Sequence, residues 1–391
     1  MVLLLTTLQH ARCLGHPAHV LFIDLEKAYD RVDRALLWRT LLHELGIPPP
    51  LVAQLQHLYH DISMTIAGDT TLGAIPVRIG LKQGCPASPL LFSLLFDRVA
   101  AALREAAASL PSPHTHFYTF LTLQLLLLLF ADDVALIARS HQGLAALYAA
   151  FREFCQANAM TISVAKSKLM TTDTAAPPTY TVVGDTFERV PLFRYLGVPV
   201  DPAGNPETVG KAALERSRGS LGALCAFVGT QRWTVPWTRL VLLDVYVRTQ
   251  MTFAAAVWAP HYLAVPVLSY GQDPLARLAA EYRRGLRALT SIEASTRCTV
   301  LYATTLRWPL ETVVAKATWR YFHRITGAGA PAPIMTVARW ARVQDTPERY
   351  TVCRGIALAA SFTSATEIYS SYIRVIRADV ALSARLSQPA L

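Results

Sequence analysis

The sequence is poor in charged residues, which make up 16% of its 391 residues, whereas 52% are hydrophobic. Disordered chains have the opposite balance, so the composition excludes a disordered protein. Glycine and proline, at 19 and 24 residues, are too few for a collagen-like or low-complexity chain. The length predicts two or three domains with enough apolar residues for a core in each.

No apolar run is long enough to predict a membrane-spanning helix. The longest, from Phe117 to Ala131, contains Thr119, Thr122 and Gln124, and a span takes roughly 20 apolar residues. The N-terminus has no basic segment before its leucines and does not resemble a signal peptide. We therefore expect an intracellular protein, in the nucleus or the cytoplasm, without a membrane partner.

Cysteine is also scarce, since the six cysteines are scattered and no two form a CxxC pair. A zinc finger is therefore not predicted, and a disulfide framework is not expected in so long a chain. The eleven histidines show no metal-ligand spacing. A reducing intracellular compartment fits this pattern.

Acidic residues are scarce in the second half of the chain. Residues 1–200 hold 15 basic and 15 acidic residues, and residues 201–391 hold 22 and 12, so the whole net charge of +10 lies in the second half. Arginine supplies 31 of the 37 basic residues, and arginine suits phosphate contacts and base stacking. Composition bias with solvated helix faces explains the same excess, and charge alone favours that explanation.

The apolar periodicity predicts an α+β region followed by a basic helical region, with a boundary at the proline-rich stretch 201–206. The predicted domains are 1–200 and 201–391. Strands are predicted at 19–23, 160–164, 180–183 and 193–198, with a hairpin or two short strands in 62–79 and two buried strands around a tight turn in 121–138. Helices are predicted at 33–45, 51–59, 88–107, 143–156, 207–229, 236–258, 274–290 and 311–326, and in pieces over 350–385.

Three aspartates stand out by their apolar surroundings. Asp24 follows the predicted strand 19–23, and Asp132 and Asp133 lie between two apolar runs. Carboxylates in an apolar frame are costly unless a cation compensates them. The nearest basic residue in the sequence is Arg139, so a divalent ion with oxygen ligands, Mg²⁺ or Mn²⁺, would supply the charge. A hairpin turn that exposes both aspartates to water explains the pattern equally well.

Five ordered segments extend this pattern. They are Phe22–Val32, Gln83–Phe92, Phe130–Asp133, Met160–Ser167 and Phe193–Gly197. They resemble the palm motifs of reverse transcriptases, specifically those of non-LTR (LINE-type) retrotransposons, over about residues 5–200. Five motifs in order are hard to obtain by chance, so the resemblance is specific. It implies a right-hand polymerase palm, with a ferredoxin- or RRM-like antiparallel sheet and helices, followed by a mainly helical thumb-like region.

The resemblance implies that Asp24, Asp132 and Asp133 bind two Mg²⁺ or Mn²⁺ ions, with the Leu25 carbonyl as a further ligand. Such ions would activate the primer 3′-hydroxyl and neutralise the triphosphate. Lys166 takes the place of the family's general acid for the pyrophosphate leaving group. A plain surface lysine at a strand end is the alternative for this residue.

The resemblance also implies a nucleotide pocket and a primer grip. Tyr29 would be the steric gate that rejects a ribose 2′-hydroxyl by a clash, and a core tyrosine is the alternative. Gln83 and Gly84 would contact the sugar and the template, since glycine permits close backbone approach; an ordinary helix N-terminus is compatible with this. The primer grip would comprise Phe193, Arg194, Tyr195, Leu196 and Gly197, for which a plain edge strand is the alternative.

The basic second half would track a template–primer duplex by phosphate contacts. Arg283, Arg284 and Arg287 are the residues expected to make them. Base stacking and core packing are both open for three tryptophans, with core packing preferred: Trp233, Trp237 and Trp258.

The implied function is RNA-directed DNA polymerase, with an RNA template, a DNA primer and dNTPs as partners and the oligomeric state left open. Only 23 residues precede Asp24, so most of the family's fingers are missing, and we expect weak or no extension by this chain alone. The alternatives are a non-enzymatic nucleic-acid-binding remnant of a retroelement, a metal-dependent nuclease and an RNA-directed RNA polymerase. Tyr29 argues against the last, and the nuclease lacks an evident general base.

Overall fold

The computed structural model describes residues 1–65, 73–230, 235–263, 273–327 and 332–341, together with Val352, Arg354 and Ile356. Trp233, the tip of the predicted hairpin at 66–72 and nearly all of the predicted helix 350–385 lie outside the described residues. The strands are β1 His19–Ile23, β2 Ser63–Met64, β3 Ile75–Pro76, β4 Tyr118–Phe120, β5 Leu123–Leu125, β6 Leu127–Phe130, β7 Asp133–Ala138, β8 Lys168–Thr171, β9 Thr179–Val182, β10 Asp185–Arg189, β11 Phe193–Tyr195 and β12 Val198–Val200.

The helices are α1 Val2–Leu14, α2 Arg34–Arg39, α3 Pro49–Leu58, α4 Ser88–Phe96, α5 Val99–Ala108, α6 Pro113–His116, α7 His141–Ala157, α8 Pro206–Thr230, α9 Pro236–Leu242, α10 Thr249–Thr252, α11 Ala255–Trp258, α12 Pro260–Leu263, α13 Pro274–Thr290, α14 Cys298–Thr305, α15 Leu310–Thr326 and α16 Ala332–Ala341. Helices α2 and α9 continue into π-helical segments, Thr40–Glu44 and Leu243–Arg248. This pattern confirms the α+β fold class with a helical second half.

The chain forms two compact units. The sheet unit comprises Gly15–Thr119 and Gln124–Phe193. The helical unit comprises Met1–Leu14, Phe120–Leu123 and the described residues from Arg194 onward. The division into domains 1–200 and 201–391 stays a prediction.

The sheet unit is built on six strands in the order β6-β7-β1-β8-β10-β9. Neighbouring strands are antiparallel, except that β8 and β10 are parallel. Every residue of β1 is buried, because this strand lies between β7 and β8 and is covered on both faces. The predicted strand 19–23 is therefore confirmed, and Asp24 follows its last buried residue.

Helices α4, α5 and α7 contribute the apolar core beside this sheet. Helix α7 is capped by Ser140, whose side chain accepts a hydrogen bond from the Gly143 amide at 3.0 Å, as N-cap residues do. The predicted helix 88–107 is wrong in one respect, since it is divided into α4 and α5. The apolar periodicity continues across the break at residues 97–98, so the pattern alone could not show it.

Two predicted strands near the site are corrected by the structure. Residues 160–164 form only an isolated bridge, between Ile162 and Leu25, and the regular strand β8 comes later, because the Ser167 amide turns back to the Ser163 carbonyl at 2.9 Å. Residues 193–198 form parts of two strands, β11 and β12, rather than one. The turn between them contains Leu196 and Gly197, whose φ values of 50° and 76° are incompatible with a continuous strand.

The helical unit confirms the predicted helices at 207–229, 274–290 and 311–326 as α8, α13 and α15. Close packing between helices of this unit explains glycine at two positions. A Cβ on Gly210 would lie 2.7 Å from Pro274, and one on Gly285 would lie 2.9 Å from Leu221. Helices α1, α12, α14 and α16 were not predicted from the sequence. Buried Leu4, Leu8 and Ala11 in α1 follow helical spacing, which was a usable signal.

One stretch, Pro236–Trp258, is long and apolar enough to cross a membrane by length and composition, with a hydropathy of 1.3. This is weak evidence for a span, because core helices meet the same criterion. Part of the stretch is buried within the protein.

Candidate active site

The register of the sheet brings the acidic residues to one end of two neighbouring strands. Ile23 pairs with Val134 in the β1–β7 ladder. Asp24 comes directly after Ile23 and Asp133 directly before Val134, and the two strands are antiparallel. The two aspartates therefore lie at the same edge of the sheet, although 109 positions separate them in the sequence.

The hairpin between β6 and β7 presents the other carboxylate. Phe130 pairs with Asp133, which leaves Ala131 and Asp132 as a two-residue turn. Ala131 has a φ of 53°, in the left-handed region that costs an L-residue about 1 kcal/mol. Both aspartates are exposed, as the alternative of a water-facing hairpin predicted.

The backbone of Asp24 is fixed on both sides by the segment that precedes β8. Its amide donates to Ser167 Oγ at 3.1 Å, and its carbonyl accepts from the Ser163 amide at 2.8 Å. Ser167 Oγ in turn donates to the Ser163 carbonyl at 2.8 Å. These bonds hold the strand end while the Asp24 side chain stays 46% exposed.

Electrostatics link the three carboxylates. Partial burial raises the pKa of Asp133, and the negative charges of Asp132 and then Asp24 raise it further. Since Asp133 is exposed, solvent weakens both effects. The repulsion is the part that a bound cation would reverse.

The donors at this edge are all carboxylate oxygens, which is the chemistry that Mg²⁺ and Mn²⁺ prefer. Across the described ranges, however, no group of three or more His, Cys, Asp or Glu side chains could hold a metal ion. Leu25, the further ligand implied by the resemblance, is buried and bridges to Ile162. The donor set fits a divalent ion, and a closed coordination shell requires further oxygen atoms or side-chain rotation.

Lys166 lies beside the acidic edge. Its Nζ is 3.8 Å from Asp24 Oδ2, and its side chain is 73% exposed. An exposed ion pair at this distance contributes little to stability. The ammonium group is thus near the carboxylates without being fixed to them, which fits both a proton donor and a surface lysine.

Tyr29 is anchored by its ring. The ring stacks on Phe92 with the centroids 4.9 Å apart and the planes at 20°. Burial raises the pKa of Tyr29, and the charge of Asp132 raises it further. Tyr29 is therefore a core contact that also lies within electrostatic range of the acidic edge.

Gln83 and Gly84 lie in a loop that contacts the segment after β1. Gln83 Nε2 donates to Asp30 Oδ1 at 3.0 Å, and the Leu81 amide donates to the Tyr29 carbonyl at 2.7 Å. Gly84 has a φ of 83°, and a Cβ built on it would meet no atom within 4 Å. The space beside Gly84 is therefore open, and its left-handed φ favours glycine.

The segment predicted as a primer grip spans the boundary between the units. Phe193 belongs to the sheet unit and stacks on Phe22, with centroids 4.0 Å apart and planes at 11°. Phe22 precedes Asp24 by two residues, so Phe193 packs on the strand that carries the carboxylate. In the helical unit, Tyr195 is buried and Arg194 is exposed.

Several contributors to this site were missed from the sequence. Ser167, which bonds the Asp24 amide, and Asp30, which bonds Gln83, both lie inside or next to recognised motifs, and their polarity was the only signal. Arg34 was missed altogether. Its four carbonyl partners lie 25 to 46 residues away, and no local pattern reports such contacts.

The arginines proposed for phosphate contacts are engaged within the helical unit. The contacts are Arg283 with Glu311 at 3.5 Å, Arg284 with Glu281 at 2.7 Å and Arg287 with the Thr296 carbonyl at 2.9 Å. Neutralising them would therefore disturb the protein itself, and their phosphate contacts stay a prediction. Trp258 is buried, which confirms core packing, whereas Trp237 is exposed with Arg307 4.8 Å above its ring.

Comparison with known protein families identifies the chain. The family described as reverse transcriptase (RNA-dependent DNA polymerase) matches residues 4–200, which is just over half of the chain. The chain therefore belongs to the reverse transcriptase family. The matched range contains all five motifs and the acidic edge built by β1 and β7.

Curated relatives come from non-LTR retrotransposons, as the motifs predicted. The chain is 30% identical over 143 residues to the Pol polyprotein of the R2DM element of Drosophila melanogaster, covering 36% of the chain and 12% of that protein. It is 23% identical over 209 residues to the Pol polyprotein of the R2 element of Popillia japonica, covering 49% and 32%. The chain thus spans a third or less of the length of these relatives.

Solved structures with a detectable likeness include telomerases. A Candida albicans telomerase in complex with the TWJ fragment of telomeric RNA is 10% identical, with a TM-score of 0.40, covering 94% of this chain and 52% of that one. An apo telomerase from Candida tropicalis is 9% identical, with a TM-score of 0.41, covering 95% and 53%.

Proposed function

We propose that this chain is the polymerase part of a retrotransposon reverse transcriptase and extends a DNA primer on an RNA template with dNTPs. The observation that carries the proposal is the convergence of Asp24 with Asp132 and Asp133 at one sheet edge inside the range matched by the family. Three repelling carboxylates beside one exposed lysine favour a centre that takes up divalent cations and nucleotide phosphates.

In the proposed reaction the primer 3′-oxygen attacks the α-phosphorus of the nucleotide, and the bond to pyrophosphate breaks. Asp24, Asp132 and Asp133 would hold two Mg²⁺ or Mn²⁺ ions. When bound, the ions would lower the pKa of the primer hydroxyl and neutralise the triphosphate. Lys166 would give a proton to the departing pyrophosphate, and its exposed ammonium beside Asp24 supports that role.

The neighbouring loop would select the nucleotide. The ring of Tyr29 is fixed by Phe92, so it cannot easily yield to a ribose 2′-hydroxyl, and rejection by a clash requires such rigidity. Gln83 is held near Tyr29 through Asp30, and Gly84 leaves room for the sugar or the template base. Phe193, packed under the same strand end, supports a primer grip at the start of β11.

Primer extension tests the proposal. With poly(rA)/oligo(dT), dTTP and Mg²⁺, the wild-type chain should add dTMP, at a weak level, and the variant D132N/D133N should add none. RNA binding by the variant should be retained and should still weaken with salt. If the wild type extends no more than this variant while both bind RNA, the chain is a non-enzymatic nucleic-acid-binding remnant instead.

Replacing dTTP by UTP in the same assay separates the two polymerase classes. The proposal predicts a strong preference for dTTP that weakens when Tyr29 is changed to Ala, whereas Y29F keeps the ring and the preference. Equal use of UTP by the wild type would favour an RNA-directed RNA polymerase.

A further inference from the structure

Arg34 binds an unusual number of backbone carbonyls. Nε donates to Gly80 at 2.8 Å, one terminal nitrogen donates to Val77 at 2.9 Å and Tyr59 at 3.4 Å, and the other donates to Ile79 at 3.1 Å. Four of the five guanidinium N–H groups are thereby used. Within the described part of the chain, no carboxylate forms an ion pair with Arg34. Its guanidinium group therefore interacts with these carbonyl oxygens instead of with an acidic side chain.

Three of these carbonyls, those of Val77, Ile79 and Gly80, belong to the segment that leads into the predicted nucleotide loop. Two backbone bonds continue the contact: the Gly80 amide donates to the Val32 carbonyl at 2.8 Å, and the Leu81 amide donates to the Tyr29 carbonyl at 2.7 Å. A Cβ on Gly80 would lie 2.6 Å from the Asp30 carbonyl oxygen, and its φ is 83°. The two segments are therefore in the closest backbone contact that glycine allows.

Tyr59 holds the far end of the same loop. Its ring lies under Arg34, 5.1 Å from the guanidinium carbon, and its hydroxyl is 3.0 Å from Ser88 Oγ. Ser88 Oγ donates to the Lys82 carbonyl at 2.7 Å. Arg34 thus fixes the loop before Gln83, and Tyr59 with Ser88 fixes it on both sides of Gln83.

We propose that Arg34 is a positioning residue that sets the distance between the Gln83–Gly84 loop and Tyr29, and thereby nucleotide affinity and sugar selection. The inference rests on the proposed function for its catalytic consequence. The guanidinium group of Arg34 donates its hydrogen bonds to carbonyl oxygens of the protein. Arg34 therefore acts through the loop rather than on the substrate. A side chain without fixed donors at this position would free the segment 77–84 while the acidic edge stays in place.

The first test measures amide exchange in the segment next to the loop and does not require polymerase activity. In R34M, hydrogen–deuterium exchange at the Gly80 and Leu81 amides should become about tenfold faster, because the bonds that hold their segment are lost. R34K, which keeps the charge and two or three donors, should fall between R34M and the wild type. The matched control is R152M, which removes an arginine bonded to the Val183 carbonyl and Asp185 in the same unit and should leave these two amides unchanged.

The second test separates positioning from general stability. In primer extension, R34M should raise the KM for dTTP about tenfold and reduce the preference for dTTP over UTP, with kcat changed less than threefold. R34K should restore part of both, and R152M should change neither. If R34M and R152M lose activity in parallel, or if R34M leaves the exchange of Gly80 and Leu81 unchanged, the inference is overturned. If the wild type does not extend a primer, the proposed function fails, and the exchange data still decide whether Arg34 holds the loop.

Discussion

Charged side chains are used differently in the two units. In the helical unit, Arg307 Nε lies 2.7 Å from Asp244 Oδ2 and Arg248 lies 3.2 Å from Asp244 Oδ1, and both sides of these pairs are largely buried. In the sheet unit, Asp24, Asp132 and Asp133 share one edge, where the exposed Lys166 lies 3.8 Å from Asp24 Oδ2. Paired charges in a largely buried setting stabilise one arrangement, whereas unpaired like charges at a surface destabilise it slightly and leave capacity for a ligand.

This difference changes how the net charge of +10 is interpreted. The resemblance to reverse transcriptases implies phosphate contacts by the basic second half, yet Arg218, Arg283 and Arg284 form ion pairs with glutamates of the same unit. The excess of positive charge is therefore a poor guide to which arginines bind nucleic acid. The uncompensated carboxylates are the better functional signal, although they carry fewer charges.

The largest expected effect is on chemistry at the acidic edge. Asp24→Asn should lower primer extension about 10³-fold or more, because in the proposed mechanism the Asp24 carboxylate would hold the ions at the primer oxygen and the triphosphate. Single-turnover extension with saturating dTTP measures this loss. The control is Asp185→Asn, an aspartate of the same unit bonded to Tyr148, and a comparable loss in that variant would contradict a specific role for Asp24.

The next largest effect is on stability in the helical unit. Arg307→Met should lower the free energy of unfolding by about 3 kcal/mol, because it leaves the largely buried Asp244 with one arginine fewer. Urea unfolding measures the change. Lys211→Met removes an exposed partner of Glu207 and should cost no more than about 0.5 kcal/mol; equal costs for the two variants would show that burial of the pair is unimportant.

Asp133→Asn should change the stability of the chain in a pH-dependent way. The pKa of Asp133 is raised in the folded chain, so folding takes up a proton as pH falls toward the ordinary value of 3.8. The group therefore costs stability above its raised pKa, and this cost disappears below the ordinary value. At pH 7 the variant should melt about 1–2 °C higher than the wild type, with the difference shrinking as the pH is lowered toward 4.

A variant that melts lower than the wild type at pH 7 would contradict this sign. Adding Mg²⁺ provides a second measurement on the same pair of proteins. Mg²⁺ should raise the melting temperature of the wild type more than that of the variant, because a ligand stabilises the folded state that binds it.

The smallest expected effect is at the hairpin turn. Ala131→Gly removes a side chain from a left-handed position, so relief of strain and the greater freedom of glycine in the unfolded chain oppose each other. We expect a change of stability within about 0.5 kcal/mol in either direction. A loss above about 2 kcal/mol in thermal unfolding would show that the methyl group has a packing role.

The sequence predicted those parts of the molecule that depend on local pattern. The apolar run before Asp24 predicted β1, the apolar runs around Asp132 and Asp133 predicted the hairpin, and the apolar periodicity of residues 274–290 predicted α13. Motif order then predicted that distant carboxylates belong together.

Polar contacts between residues far apart in the sequence could not be predicted in the same way. The bonds of Arg34 to the segment 77–80 and of Ser167 to the Asp24 amide depend on chain approach that no periodicity encodes. The predicted strand at 160–164 was wrong for the same reason. Hydrogen bonds around Ser163, and not apolar alternation, decide that the regular strand β8 begins only at Lys168. The ion pairs of Arg283 and Arg284 likewise appear only once the helices are packed.

Manganese binding tests the central claim most directly, because it does not require a complete polymerase reaction. Electron paramagnetic resonance should detect Mn²⁺ bound to the wild-type chain in the presence of dTTP. The triple variant D24N/D132N/D133N should lose this protein-bound signal, while E188Q, a glutamate of the same unit paired with Lys168, should retain it. Equal Mn²⁺ binding by the wild type and the triple variant would contradict the account.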